Sequence, residues 1–297
     1  MRVLIIGKNG QLGKSIAKIV NNKCEKDTKN SNEFIFVSRN KLDLSCNINI
    51  TNFFSSNKFD IIINCAAYTK VDQAEQEEEL ANQVNHLAVK KLAETAQAQR
   101  AKLIHISTDY VFDGEESNPY KETDLTNPLN IYGITKLAGE KSINEVMTKN
   151  AIIIRTSWLY SEFSYNFVKK IIELAKKRDE LQVVDDQIGS PTNATDLALA
   201  ILSIIKRKDF CRYSQRTEIY HYSNEGKISW YDFARKIIEL AGISCDVNPV
   251  STDAYPTPAQ RPKKNILNNE KIVQKFGLKI VNWKTSLGLL LKEGWVE

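Results

Sequence analysis

Short apolar runs alternate with longer amphipathic stretches through the first half of the chain. Residues 3–6, 34–37, 61–63, 103–106 and 151–154 are almost wholly apolar and read as strands. Between them, 11–20 places Leu12, Ile16, Ile19 and Val20 on one helical face. The stretch 80–99 is alanine-rich and helical, and 131–147 has helical spacing. Strands apolar on both faces, separated by amphipathic helices, predict a parallel sheet covered on both sides. The expected fold class is therefore α/β, a Rossmann-like doubly wound parallel sheet with a smaller C-terminal domain. Such sheets bind ligands beyond the carboxyl ends of their strands. Chemistry is thus sought just after residues 6, 37, 63, 106 and 154.

The second half reads differently. A helix is expected over 163–177, a short strand over 181–184, a helix over 195–205 and a strand over 219–222. Ser229 precedes another helix to Ala241, with Asp232 three residues on as an N-terminal signal. Pro256, Pro258 and Pro262 exclude a helix over 255–262 and predict a stiff loop or hinge. The helix at 195 and the strand at 219 are expected to return to the first domain. That gives one domain of 1–155 plus about 193–225, and a second of about 156–192 plus 226–297.

Composition narrows the function classes. The chain has 297 residues, 42% hydrophobic and 26% charged, and a net charge of +5. These are ordinary values for a globular protein. The basic runs Lys176, Lys177, Arg178 and Lys206, Arg207, Lys208 fall at expected helix C-termini, where cations suit the dipole. They predict solvated helix ends, not a nucleic-acid surface. Cys24, Cys46, Cys65, Cys211 and Cys245 are scattered without a CxxC, so neither a disulfide framework nor a metal site is expected. No apolar run approaches the roughly 18 residues of a membrane span. A cytoplasmic setting without membrane contact is expected.

Gly7, Gly10 and Gly13 form a GxxGxxG spacing between the first strand and the first helix. Glycines there permit a tight turn and close approach to a pyrophosphate, and the helix N-terminus faces its charge. The segment Gly7, Asn9, Gly10, Gln11, Leu12, Gly13 is therefore a dinucleotide cradle. An acid at the end of the second strand would hold an NAD ribose, and an arginine would suit the 2′-phosphate of NADP. Ser38 and Arg39 stand there, with no acid before Asp43. NADPH is expected over NADH.

Reducing a ketone also requires a proton donor. Tyr132 and Lys136 lie four apart, so one helix face carries both. A cation nearby would lower a tyrosine pKa from ~10 by ~1–3. Tyr165 and Lys169 share this spacing. Context favours Tyr132, which lies near the expected ligand edge with the hydroxyls of Ser107 and Thr108 upstream.

Several segments together resemble the extended short-chain dehydrogenases and, within them, the dTDP-4-dehydrorhamnose reductases. They are 7–13, Asn64 to Asp72, Ser107 to Gly114, Pro128 to Lys136, Arg155 to Trp158, Asp186 to Thr192 and the 256–262 loop. The resemblance implies a catalytic trio of Thr108, Tyr132 and Lys136. It implies that Ala66, Ala67 and Tyr68 line the cofactor, with Asp43 and Leu44 at the adenine. It places Thr69, Val71, Thr108, Asp109, Tyr110 and Trp158 near a nucleotide-linked sugar, with Arg261 at its diphosphate. Related sugar dehydratases carry Thr-Asp-Glu, whereas this chain has Thr108, Asp109 and Tyr110, which points to simple reduction and leaves Asp109 to orient its neighbours. Some relatives have an acid implicated in a metal-bridged dimer where this chain has Ser15. No metal is expected, and a homodimer of another kind stays open.

Blander readings stand beside these. Trp158 could be core, and Arg261 a solvated loop charge. The reductase could act on another nucleotide-linked 4-keto sugar. A different class is a non-catalytic subunit similar to the regulatory subunit of methionine adenosyltransferase, since a fold does not determine its function.

Overall fold

The computed structural model describes residues 1–24, 32–207, 210 and 216–292. Lys208 and Cys211 lie outside them. Strands β1 (Arg2–Ile6), β2 (Glu33–Val37), β3 (Ile61–Asn64), β4 (Lys102–Thr108) and β5 (Ala151–Thr156) form a sheet with the later strand Glu218–His221. Numbered in chain order after Glu180–Val184 (β6), that strand is β7. The order is β2-β1-β3-β4-β5-β7, every pair parallel.

Successive side chains of a strand point to opposite faces. Val3, Ile5, Ile61, Ile63, Ile104, Ile152 and Ile154 accordingly share one buried cluster with Leu12 and Ile16 of α1 (Gln11–Cys24). Helix α8 (Ala194–Lys206) packs against α1 and adds Leu197, Ile201 and Ile205. Leu4, Ile6, Ile62, Leu103 and Ile153 face the other way. They meet α2 (Asn47–Ser55), α5 (Ala88–Gln99) and α6 (Ile131–Val146) through Phe54, Leu92 and Ile143. Two apolar faces thus produce three layers.

A third core joins α7 (Phe167–Ala175), β6, α9 (Trp230–Ala241) and α11 (Trp283–Lys292) through Val168, Leu181, Phe233 and Leu287. The Ser229 hydroxyl caps α9, accepting from Asp232 N at 3.1 Å. Strand β8 (Asp246–Val250) pairs with β6 in a two-stranded ribbon, where Pro249 is tolerated because such a strand has a free edge.

Three local departures from the sequence reading have physical causes. Helix α7 begins at Phe167 and not at 163: the Asn166 side chain caps it, and Ser164 just before has φ +57°. The stretch 80–99 is interrupted by one π turn, Gln83–Leu87, between α4 (Glu78–Asn82) and α5. Helices α2, α10 (Glu270–Phe276) and α11 and strand β8 carry no pattern that was read as an element.

Candidate active site

The chain runs from β1 to β2 on one side and then to β3 on the other, which opens a crevice at the carboxyl ends of β1 and β3. The glycine turn sits there. Gly7 has φ +90°, and a Cβ on it would meet Ala66 N at 2.9 Å. A Cβ on Gly13 would meet the Gly7 carbonyl oxygen at 2.2 Å. Helix α1 therefore closes directly on the turn. A Cβ on Gly10 would meet only Gly7 O, at 3.4 Å, so the outer side is open. The leading N–H groups of a helix have no partner within it, and this cradle fits a dinucleotide pyrophosphate. Leu12 packs into the core and has only backbone to offer. Asn9 is exposed. The Gln11 side chain leaves the turn: its Nε2 donates to Leu159 O at 3.1 Å, and its Oε1 accepts from Ser161 Oγ at 2.9 Å and Asn166 Nδ2 at 3.1 Å. Ser15 is completely buried, facing the interior and not a partner.

Beyond β2, Ser38 is half-buried and Arg39 is exposed. The Arg39 guanidinium lies 3.2 Å from Asp43 Oδ1. Partial burial pushes the Asp43 carboxyl up, but hydrogen bonds from Ser45 and the Arg39 charge outweigh it and hold it below its usual value. So exposed a pair is weak, and a phosphate can replace Asp43 as the partner of Arg39. Leu44 is a core side chain, which leaves Asp43 as the member of that pair facing the rim.

A buried polar chain runs from β3 through β4 to α6 beneath the crevice. Ala66 N donates to Asn64 Oδ1 at 3.1 Å, and Asn64 Nδ2 lies 3.1 Å from His105 Nδ1. His105 Nε2 lies 3.2 Å from Lys136 Nζ, which donates to Ile106 O at 2.6 Å. Burial pushes the Lys136 amine down to about 8 against the pull of Glu140. One residue that sequence reasoning missed secures the 66–68 loop. Asn85, on the π turn, accepts from Tyr68 N at 2.8 Å and donates to Tyr68 O at 3.1 Å and Thr135 Oγ1 at 3.2 Å. Helix α6 approaches that turn only because residue 139 is glycine, whose Cβ would sit 2.2 Å from Asn85 O. Ala67 and Tyr68 are half-buried beside it.

Tyr132 is the second residue of α6, a helix capped by Asn130, whose Oδ1 accepts from Gly133 N at 2.9 Å. Burial pushes the Tyr132 hydroxyl up to about 12; a hydrogen bond with Thr108 pulls it back and the nearby Asp109 charge adds to the rise. Thr108 Oγ1 also bonds Asp109 Oδ1 at 3.1 Å and accepts from Tyr110 N at 3.2 Å. Burial raises the Asp109 carboxyl to about 7, with Thr108 and backbone N–H groups pulling it back. Its Oδ2 is buried without a partner. The Tyr110 ring meets Tyr132 edge-on, centroids 5.6 Å apart. Ser107 turns away to Glu140, at 2.5 Å, within a buried ion pair of Glu140 and Arg155. The lysine thus differs from expectation: it is held under the helix by β4, and Tyr132 is raised, not lowered. Tyr165 lies ahead of α7 and is exposed, so its spacing to Lys169 is not a helical one.

Across from Tyr132, Arg261 grips Asp72 with two nitrogens at 3.0 and 2.7 Å. It also donates to Ala259 O at 3.0 Å and to the hydroxyls of Thr257 and Tyr110. Asn130 Nδ2 holds Gln260 O at 2.7 Å, so the proline loop is tied to the base of α6. Thr69 is exposed and Val71 half-buried at the start of α3 (Val71–Ala74), which carries Asp72. Trp158 is set apart from this group. It has φ +45°, stacks on Trp230 at 3.4 Å, and lies where a Cβ on Gly189 would meet its ring at 2.5 Å.

The strand order, the glycine turn at its switch point and the Tyr132–Thr108 pair define a Rossmann-like protein of the short-chain dehydrogenase/reductase type. More particularly, the chain belongs to the RmlD substrate binding domain family, whose sequence model matches residues 1–295. It is 39% identical over 290 residues to a dTDP-4-dehydrorhamnose reductase of Sinorhizobium fredii, with 96% of this chain and 95% of the relative covered. The crystal structure of a dTDP-4-dehydrorhamnose reductase from Clostridium acetobutylicum superposes with a TM-score of 0.89 at 38% identity, covering 99% of both chains. That of a Bacillus anthracis dTDP-4-dehydrorhamnose reductase in complex with NADP gives 0.88 at 38% identity, covering 98% of this chain and 99% of that one. Among the described residues, no helix is long and apolar enough to cross a membrane.

Proposed function

We propose that this protein reduces the C4 carbonyl of dTDP-4-dehydro-L-rhamnose to the alcohol of dTDP-L-rhamnose, with NADPH preferred over NADH. The carrying observation is the Tyr132 hydroxyl, hydrogen-bonded to Thr108 at the carboxyl edge of the sheet and raised to about 12. At neutral pH that phenol holds its proton, the state required of a proton donor in reduction.

Gly7, Gly10, Gly13 and the 66–68 loop would hold the cofactor, and Arg39 its 2′-phosphate. Bound NADPH supplies the hydride that reaches the carbonyl carbon. Tyr132 gives its proton to the carbonyl oxygen, while Thr108 donates a hydrogen bond to that oxygen and keeps it beside the phenol. Lys136 lies one helical turn from Tyr132, where it can bind the nicotinamide ribose. Arg261 has a guanidinium suited to a diphosphate, and Asp72 aims it. The sheet with α8 and β7 forms the cofactor domain, and the third core with the proline loop the sugar domain. The pairing of β7 with β5 and the packing of α8 on α1 support that division. Its charged nucleotide substrates place the enzyme in the cytoplasm.

The test is loss of nicotinamide absorbance with enzymatically generated dTDP-4-dehydro-L-rhamnose, first with NADPH and then with NADH. Oxidation accompanied by dTDP-L-rhamnose formation is the expected result. Protein that binds NADPH yet leaves this substrate untouched would overturn the reading.

A further inference from the structure

Thr108 has one proton and more than one use for it. Its oxygen accepts from Tyr110 N at 3.2 Å and lies 3.1 Å from Asp109 Oδ1, with the Tyr132 hydroxyl as a third partner. A hydroxyl oxygen donates once and accepts twice, so these three partners fill it. An ionised Asp109 can only accept. It then takes the Thr108 proton, and Tyr132 must donate to Thr108. A ketone oxygen is also only an acceptor. When Tyr132 turns to it, Thr108 is left with an open lone pair and no proton to offer. A protonated Asp109 reverses this: it donates to Thr108 Oγ1, and the Thr108 proton is released to the ketone.

We propose that Asp109 is a positioning residue whose protonated form turns the Thr108 hydroxyl toward the substrate carbonyl. This rests on the reductase reading above. The surroundings favour the proton. Asp109 is buried, and its Oδ2 has no partner, a costly state for an ionised carboxylate. Among the described residues, the nearby cations are engaged elsewhere. Arg261, from the proline loop, holds Asp72; Lys136, on α6, donates to Ile106 O; Arg155, on β5, is paired with Glu140. Thr156 of β5, opposite Thr108 in register, is uncharged, and burial keeps Tyr110 and Tyr132 neutral phenols. Asn265 Nδ2 bonds the Asp109 carbonyl at 2.8 Å and fixes the residue in place. Burial accordingly raises the carboxyl to about 7, inside the range of an ordinary assay.

The test is the pH dependence of kcat/KM for the keto sugar at saturating NADPH. In the parent it should fall by about tenfold or more as pH rises through a limb at about 7. Asp109→Asn, whose amide can donate to Thr108 at every pH, should hold the low-pH rate through that window. A limb contributed by Lys136, whose amine lies at about 8, remains in both proteins. In a Thr108→Ala background, Asp109→Asn should leave the profile unchanged, because the acid acts only through that hydroxyl. A limb at the same pH in Asp109→Asn, or a rate lowered equally at every pH, overturns the proposal as mere structural support. Infrared difference spectra of 13C-aspartate-labelled protein between about pH 6 and about pH 8 supply the second arm. A protonated carboxyl should disappear over that interval in the parent; if none does, the proposal fails, even where Asp109→Asn does not fold. The spectra need no substrate, so failure of the reductase reading is recognised separately.

Discussion

The two sides of the cleft are built by opposite means. The side proposed for the cofactor is one contiguous turn, closed by backbone against backbone: Gly13 leaves 2.2 Å between a would-be Cβ and the Gly7 oxygen. The side proposed for the sugar is assembled from segments 189 residues apart, joined by the Arg261–Asp72 pair. The first is rigid because no side chain can be inserted. The second is polar, partly exposed and exchangeable, as expected where a charged ligand must displace a charged partner. Tyr132 and Thr108 stand between them.

Substitutions sharpen this contrast. Tyr132→Phe removes the proposed proton donor between the two sides, and turnover should fall by about 10²–10⁴-fold. Cofactor affinity, followed by fluorescence titration, should hold, and near-parental turnover would remove Tyr132 from the mechanism.

Asp109 lies at the seam, where Asn265 Nδ2 bonds its carbonyl at 2.8 Å. Its folded pKa of about 7 exceeds the unfolded value of ~3.9. The folded state therefore holds this proton longer, and the parent loses stability as pH rises from ~4 through about 7. The advantage of Asp109→Asn, a mimic of the protonated acid, should grow over that window to a few kcal/mol, on the order set by ~1.4 kcal/mol per pKa unit, and then level off. Urea unfolding at several pH values checks this; a constant difference would mean that Asp109 is ionised throughout.

Gly13→Ala forces a clash worth ~1–3 kcal/mol. NADPH affinity should drop about tenfold or more, with a lower Tm. Arg261→Ala, by contrast, should raise the KM for the nucleotide sugar by roughly tenfold through a lost charge-assisted contact and leave the NADPH Kd alone. Equal losses in both constants would show that the two sides are one coupled unit.

Much of this arrangement was legible beforehand. The five apolar runs are the first five strands of the central sheet, because a strand buried on both faces leaves an unbroken apolar signature. The glycine turn and the Tyr132 helix were found by spacing and context. Helix α2 was missed because Asn47, Asn49 and Asn52 dilute its apolar face, and β8 because Pro249 interrupts it. Asn85 carried no signal, since a π turn breaks the 3.6-residue period and its partners are the Tyr68 backbone and the Thr135 hydroxyl, both distant in sequence.

The sequence alone therefore determined the layered sheet and the glycine turn at its edge, both of which depend on local spacing and burial pattern. Only the tertiary structure decided what surrounds the side chains of the site, and with it the direction in which each pKa moves. Lys136 reads as the charged partner of Tyr132 along a helix, yet folding directs it to His105 and Ile106 on a neighbouring strand. Charge in a buried site is set by which donors and acceptors meet there, and those partners come from parts of the chain that no local pattern connects.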